Sequence, residues 1–187
     1  PTKKGIVLIC EFELSKPRLR ERLEKMLGHK EENRITDTNV FILKERFTFD
    51  GPEKFESILK LQQIITALNP DLVIFDPLFC LHKADENSAR EMIPILSEFK
   101  KMTSHLPSTP AVVLIQHTGK RNESFGTQVS HQARGSSAFG DVPDGIWLLQ
   151  RSQEKGTRKF SVDHRYGAPI DPIEVELNPE NGTWSCL

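Results

Sequence analysis

The chain has 187 residues, with 25 Lys and Arg against 26 Asp and Glu and a formal net charge of -1. That balance excludes a uniformly basic nucleic-acid binder but leaves room for a local basic loop, and 37% hydrophobic with 27% charged residues exclude a disordered chain. Three cysteines far apart (Cys10, Cys80, Cys186) write neither a disulfide framework nor a zinc knuckle. Apolar runs of about five or six residues fall far short of the roughly 20 that span a membrane. The expectation is a soluble, cytoplasmic α/β chain of one domain, with no membrane partner.

Gly5 to Cys10 is a continuous aliphatic run, the pattern of a strand buried on both faces. Ser15 then caps a helix with Pro17 in its first turn, Leu19, Leu23, Met26 and Leu27 at helical spacing, and Gly28 as its stop. Val40 to Leu43 reads as a second strand. Asp50 and Glu53 have capping-box spacing ahead of an amphipathic stripe of Phe55, Ile58, Leu59, Ile65 and Leu68, which Asn69-Pro70 ends. Asp71 to Asp76 is a third buried strand. Ser88 and Glu91 repeat the capping-box spacing before Met92, Leu96, Phe99 and Met102, where Pro94 predicts a kink or a delayed start. Ala111 to Ile115 is the fourth strand.

Strands alternating with helices predict a parallel sheet with crossover helices. After Gly145 the pattern changes. Ile146 to Leu149 and Lys159 to Val162 flank a turn at Gly156, Ile173 to Leu177 alternates with period two, and Asn181-Gly182 turns toward Trp184. These read as antiparallel strands added to the edge of the parallel sheet. The stretch from Thr118 to Gly135 is polar throughout except for Phe125, Val129 and Ala133, and a polar loop of that length in a compact domain usually carries function. The predicted organisation is one core: a parallel βα part over about 5–117, the polar loop over about 118–135, and an antiparallel part over about 145–187.

Ligands of open α/β sheets bind outside the carboxyl ends of the strands. Three strands end there in polar groups: the first in Glu11-Phe12-Glu13, the third in Asp76, the fourth in Gln116-His117-Thr118. An acid after a short apolar strand can hold magnesium against a triphosphate, and a second carboxylate nearby can polarise a water. Each residue also has a plainer reading: Asp76 as the start of a turn at Pro77, Glu13 as a helix N-terminal charge, His117 as a strand-end histidine. His82, Asp85 and Glu86, or His117 and His131, lack a dedicated metal-ligand spacing. Cys80 has no glycine frame for a nucleophile turn, which argues against an esterase.

Val7 to Leu14 followed by Arg18-Leu19 and Arg22-Leu23 resembles the strand-and-glutamate segment of RecA-like hexameric helicases. Asp71 to Leu78 resembles their Walker B strand, and Val113 to Lys120 is similar to the His-His-Thr-Gly-Lys segment of RepA-type plasmid helicases and related ATPases. Arg134 to Ala138 and Asp144-Gly145 follow in the same order, and Arg165 to Pro169 resembles a stretch of DnaB-type replicative helicases. The resemblance spans Val7 to Trp184. It implies a RecA-like P-loop NTPase core using ATP and Mg2+, with Glu13 as general base, Asp76 as the magnesium acid, and His117 as γ-phosphate sensor beside Gln116. It further implies Arg134 or Arg165 as a finger acting on a neighbouring subunit's nucleotide, which needs a ring or a filament, a homo-oligomeric hexamer by family pattern. Lys120 and Arg121 would sit on a channel loop that grips single-stranded DNA phosphates. As solvated loop charges, both have an equally simple reading.

The sequence departs from that family in one large respect: G-x-x-x-x-G-K-[ST] is missing, because Leu114 stands five residues before Gly119 and Arg121 follows Lys120. The expectation is therefore either a motor core that is part of a longer protein, inactive by itself, or a degenerate RecA-like module for oligomerisation or replication control. A RecA-like recombination or repair ATPase that forms filaments is a third possibility.

Overall fold

Four apolar runs form a parallel sheet in the order β2-β1-β3-β4: β1 is Val7–Glu11, β2 Val40–Leu43, β3 Leu72–Asp76 and β4 Ala111–Leu114. A computed structural model describes residues 5–27, 39–104, 106, 108–117, 137–152 and 156–187. Two compact units are present. The first comprises Pro1–Glu13, Ile35–Thr118 and Arg134–Ala138, and the second Leu14–Arg34, Gly119–Ala133 and Phe139–Leu187. Parallel neighbours need crossovers. In the first unit these are α2 (Lys54–Leu68), which leads to β3, and α3 (Ala89–Ser104), which leads to β4. Such α/β alternation is what the sequence pattern predicts.

Core formation follows from side-chain alternation along the central strands. Leu8, Cys10, Val73 and Phe75 are buried, together with Leu61 and Ile65 of α2 and Met92, Leu96, Phe99 and Met102 of α3. Phe99 stacks on Phe49 at 4.1 Å between centroids and meets Phe75 edge-on at 4.9 Å. Offset and edge contacts of this kind add about 0.5–1.5 kcal/mol beyond burial. The aliphatic runs predict strands buried on both faces, whereas Val7, Ile9, Leu72 and Ile74 are only half-buried. One face of β1 and β3 is sealed completely, so the aliphatic run reflects a sheet with one closed face in this unit. Burial also pushes the Cys10 thiol up to about 12, which leaves it an inert core side chain.

Three local expectations change in detail. Asp50 does not cap α2: its carboxylate accepts the Thr48 hydroxyl and the Lys83 N–H, and Glu53 occupies the cap position without a side-chain hydrogen bond. Glu91 takes the N–H of Asp85 at 3.0 Å, so its carboxylate serves the preceding turn. Pro94 lies inside α3, which has already begun at Ala89, so the start is not delayed. Asn69 ends α2 as expected, in the left-handed conformation with φ 49° and its N–H on the Ile65 carbonyl at 2.8 Å.

In the second unit, α1 (Lys16–Leu27) begins one residue after Ser15, and α4 (Ala138–Asp141) is a single turn that starts at the last residue of the first unit. β5 (Gly145–Arg151), β6 (Thr157–His164), β7 (Ile170–Leu177) and β8 (Trp184–Cys186) form an antiparallel sheet in sequence order. The hairpin turn between β5 and β6 uses Gly156 at φ 98°, and Gly182 at φ 69° serves β7 and β8. The sequence reading adds these strands to the edge of the parallel sheet. Antiparallel pairing runs through β5, β6, β7 and β8 in turn, and β4 pairs with β3.

Phe99→Ala removes the ring that both Phe49 and Phe75 touch, and it is expected to cost about 3–5 kcal/mol in denaturant unfolding. A loss under about 1 kcal/mol would show that the aromatic cluster does not organise the first unit.

Candidate active site

Strand register brings the site together. β1 pairs with β3 so that Glu11 lies opposite Asp76, and the ladder continues as the Phe12 N–H donates to the Asp76 carbonyl at 2.9 Å. On the other side of β3, the Ile115 N–H donates to the Phe75 carbonyl at 2.9 Å, and the Leu78 N–H returns to the Ile115 carbonyl at 2.8 Å. Glu11 to Glu13, Asp76, and Gln116 with His117 therefore emerge at one edge of one sheet. The Asp76-Pro77 peptide is cis, and the chain passes from it into a 3-10 turn over Leu78–Leu81.

Glu13 and His117 face each other across this edge. A Glu13 Oε2 lies 3.9 Å from His117 Nε2, and both side chains are more than half exposed, at 55% and 60%. A pair this open contributes about 0–1 kcal/mol, so either group can change partner at small cost. The His117 ring packs against Phe79, with centroids 5.8 Å apart. Behind Glu13, the buried Glu11 carboxylate accepts the Glu13 N–H at 2.7 Å. The Oε1 of Gln116 is buried and has no hydrogen-bond partner among the described residues.

Cys80 lies beside this edge. Partial burial raises its thiol pKa, Glu13, Glu11 and Asp76 raise it further, and Arg46 opposes them. Three carboxylates and one guanidinium thus act on one neighbourhood. Among the described residues no three His, Cys, Asp or Glu side chains are grouped to cage a metal. Magnesium does not require such a cage, since one or two carboxylates, water and substrate phosphates commonly hold it.

Of the residues singled out in the sequence, Glu13, Asp76, Gln116 and His117 are brought together. Lys120, Arg121 and Arg134 lie outside the described residues. Arg165 belongs to the second unit, where its guanidinium donates to the Asp141 carbonyl and its N–H to the Asp144 carbonyl at 3.0 Å. The sequence reading missed three contributors: Glu11 as a buried acid, Phe79 against His117, and Arg46 beyond β2. Position beyond a strand's carboxyl end was the available signal for Arg46.

His82 closes the turn after β3. Its side chain is buried. Burial lowers its pKa, against the raising pull of Glu86, Asp50 and a hydrogen bond with the Ala84 backbone. For Asp50, burial works upward, but the Lys83 N–H, the Thr48 hydroxyl and the charges of His82 and Lys83 hold the carboxyl below its usual range. A histidine depressed on folding is bound as the neutral form, so its contribution is intact above the unfolded pKa of about 6.5 and is lost as pH falls below it. Folding stability is expected to drop as pH falls below about 6.5, with a shallower fall in His82→Gln. Equal pH slopes in the two proteins would remove His82 as the cause.

A family model described as an AAA domain matches residues 1–123. The fold is similar to that of a solved ATPase domain, with TM-score 0.71 and 19% identity over 97% of this chain and 74% of that one. It is equally similar to a DnaB-like replicative helicase whose structure was described with its interactions with primase. There the TM-score is 0.72 and identity 19%, over 96% of this chain and 51% of that one. No curated protein matches the sequence. Among the described residues no helix is long and apolar enough to cross a membrane.

Proposed function

The chain belongs to the AAA domain family and has the RecA-like fold of replicative-helicase ATPase domains, and from that premise we propose that it is the core of an ATP-driven motor on single-stranded DNA. The observation that supports this most is the convergence of Glu13, Asp76, Gln116 and His117 at the carboxyl edge of one parallel sheet. Magnesium-bound ATP supplies the scissile phosphoanhydride and a cation that neutralises charge on the transferred phosphoryl group. Glu13 orients the attacking water and accepts its proton. Asp76 would hold the magnesium ion that accompanies the nucleotide. Gln116 and His117 face the terminal phosphate. Because the Glu13–His117 pair is weak, a phosphate that attracts His117 frees Glu13 for the water.

Arg134, with Arg165 as second candidate, reaches the nucleotide of a neighbouring subunit, which requires a ring, hexameric by analogy, or a filament. Lys120 and Arg121 contact DNA phosphates, a grip that weakens with salt. The 187 residues form one ATPase core in this reading, acting in the cytoplasm. No G-x-x-x-x-G-K-[ST] motif occurs in them, so hydrolysis is proposed for a full-length protein that supplies a phosphate-binding loop. The same absence favours a second reading, a non-catalytic RecA-like module for oligomerisation or replication control. Failure of the full-length protein to bind ATP would select it.

In the full-length protein, Glu13→Gln is expected to reduce turnover by about 10²-fold or more while leaving nucleotide affinity unchanged. Wild-type turnover in that variant would remove Glu13 as the base. Arg134→Ala is expected to be inactive alone and to regain part of its activity when mixed with Asp76→Asn subunits, since the finger acts between protomers. If no mixture recovers activity, Arg134 does not act in trans, and Arg165 takes its place in the same assay.

A further inference from the structure

We propose that Glu11 is a positioning residue: its buried carboxylate holds the turn that presents Glu13 to the water. This rests on the reading of Glu13 as general base and adds to it the group that sets where the base stands.

Glu11 is the last residue of β1 and only 2% exposed. A carboxylate is rarely buried to that extent without hydrogen-bond donors to replace its water. One donor is the Glu13 N–H, at 2.7 Å from Glu11 Oε1, the length of a charge-assisted bond. That N–H lies beyond the end of the β1 ladder. The residue between them is pinned separately, because the Phe12 N–H reaches the Asp76 carbonyl at 2.9 Å. Glu11 to Glu13 is therefore fixed at two points: to the Asp76 strand through Phe12, and to the buried Glu11 carboxylate through Glu13.

Glu13 needs such a hold because its own side chain offers little. It is 55% exposed and faces His117 across a loose 3.9 Å contact. Where that side chain starts is set by its backbone, and a base placed about 1 Å away from its productive position can lose about 10²-fold in rate. The hold requires an acceptor at the Glu11 Oε1 position. Glutamine keeps that acceptor and the side-chain volume, whereas methionine keeps the volume and supplies no comparable oxygen.

The test uses the full-length protein and compares Glu11→Gln with Glu11→Met, reading ATP turnover and hydrogen exchange at the Glu13 amide. Glu11→Met is expected to lower kcat by about 10-fold or more, to leave KM for ATP within about 2-fold, and to expose the Glu13 amide to exchange. Glu11→Gln is expected to stay within about 3-fold of wild-type kcat, with that amide protected. A folded Glu11→Met protein with wild-type kcat, or with the Glu13 amide still protected, overturns the proposal. So does a Glu11→Gln protein as slow as Glu11→Met, since charge and not the acceptor would then matter. The underlying reading is separable: wild-type turnover in Glu13→Gln defeats the base assignment, whereas an inactive Glu13→Gln beside a fully active Glu11→Met defeats the positioning role alone.

Discussion

A parallel ladder aligns the ends of its strands, and Glu11, Glu13, Asp76, Gln116 and His117 depend on that alignment. Glu11 lies opposite Asp76 because β1 and β3 are in register from Val7 and Leu72 onward. Gln116 and His117 reach the same edge because β4 holds its register with β3 and the backbone carries it one bond further, at Ile115. A slip of one residue in either ladder would turn these side chains to the opposite face. The aromatic cluster of Phe49, Phe75 and Phe99 beneath the sheet fixes which face is buried, and so secures the register.

What the register assembles is a group of carboxylates at one sheet edge. Glu11, Glu13 and Asp76 act together on Cys80, with Arg46 as the opposing cation. Grouped acids repel one another, so the arrangement is costly unless hydrogen bonds or a cation offset it. The carboxylates are used differently. Glu11 is sealed and engaged with backbone, whereas Glu13 is open and only loosely paired with His117. A sealed acid beside an open one combines a rigid frame with an accessible group.

Much of this was legible in the sequence, for identifiable reasons. Strands made of runs such as Val7 to Cys10 and Leu72 to Phe75, ended by acids, declare both their type and their functional end, and the order of the segments carried the family resemblance. Local polar geometry was less legible. Asp50 and Glu91 had capping-box spacing, yet their carboxylates found other donors, Lys83 and Asp85, that spacing alone does not bring near. Glu11 read as one of two similar acids, because its burial depends on packing and not on its neighbours in sequence. The tail strands announced their alternation and their glycine turns, but not their partners. Pairing is a tertiary choice, and here they chose each other.

The most direct measurement is the structure of the full-length protein with magnesium, ADP and aluminium fluoride, which imitates the phosphoryl group in transfer. Glu13 is expected to have left His117 and to lie within hydrogen-bond reach, about 2.6–3.2 Å, of the water in line with the fluoride. Asp76 is expected to contact water on the magnesium, with His117 on the fluoride. Nucleotide bound away from the carboxyl edge of β1, β3 and β4, or Glu13 still facing His117 with the analogue in place, would contradict the assignment of this edge as the hydrolytic site.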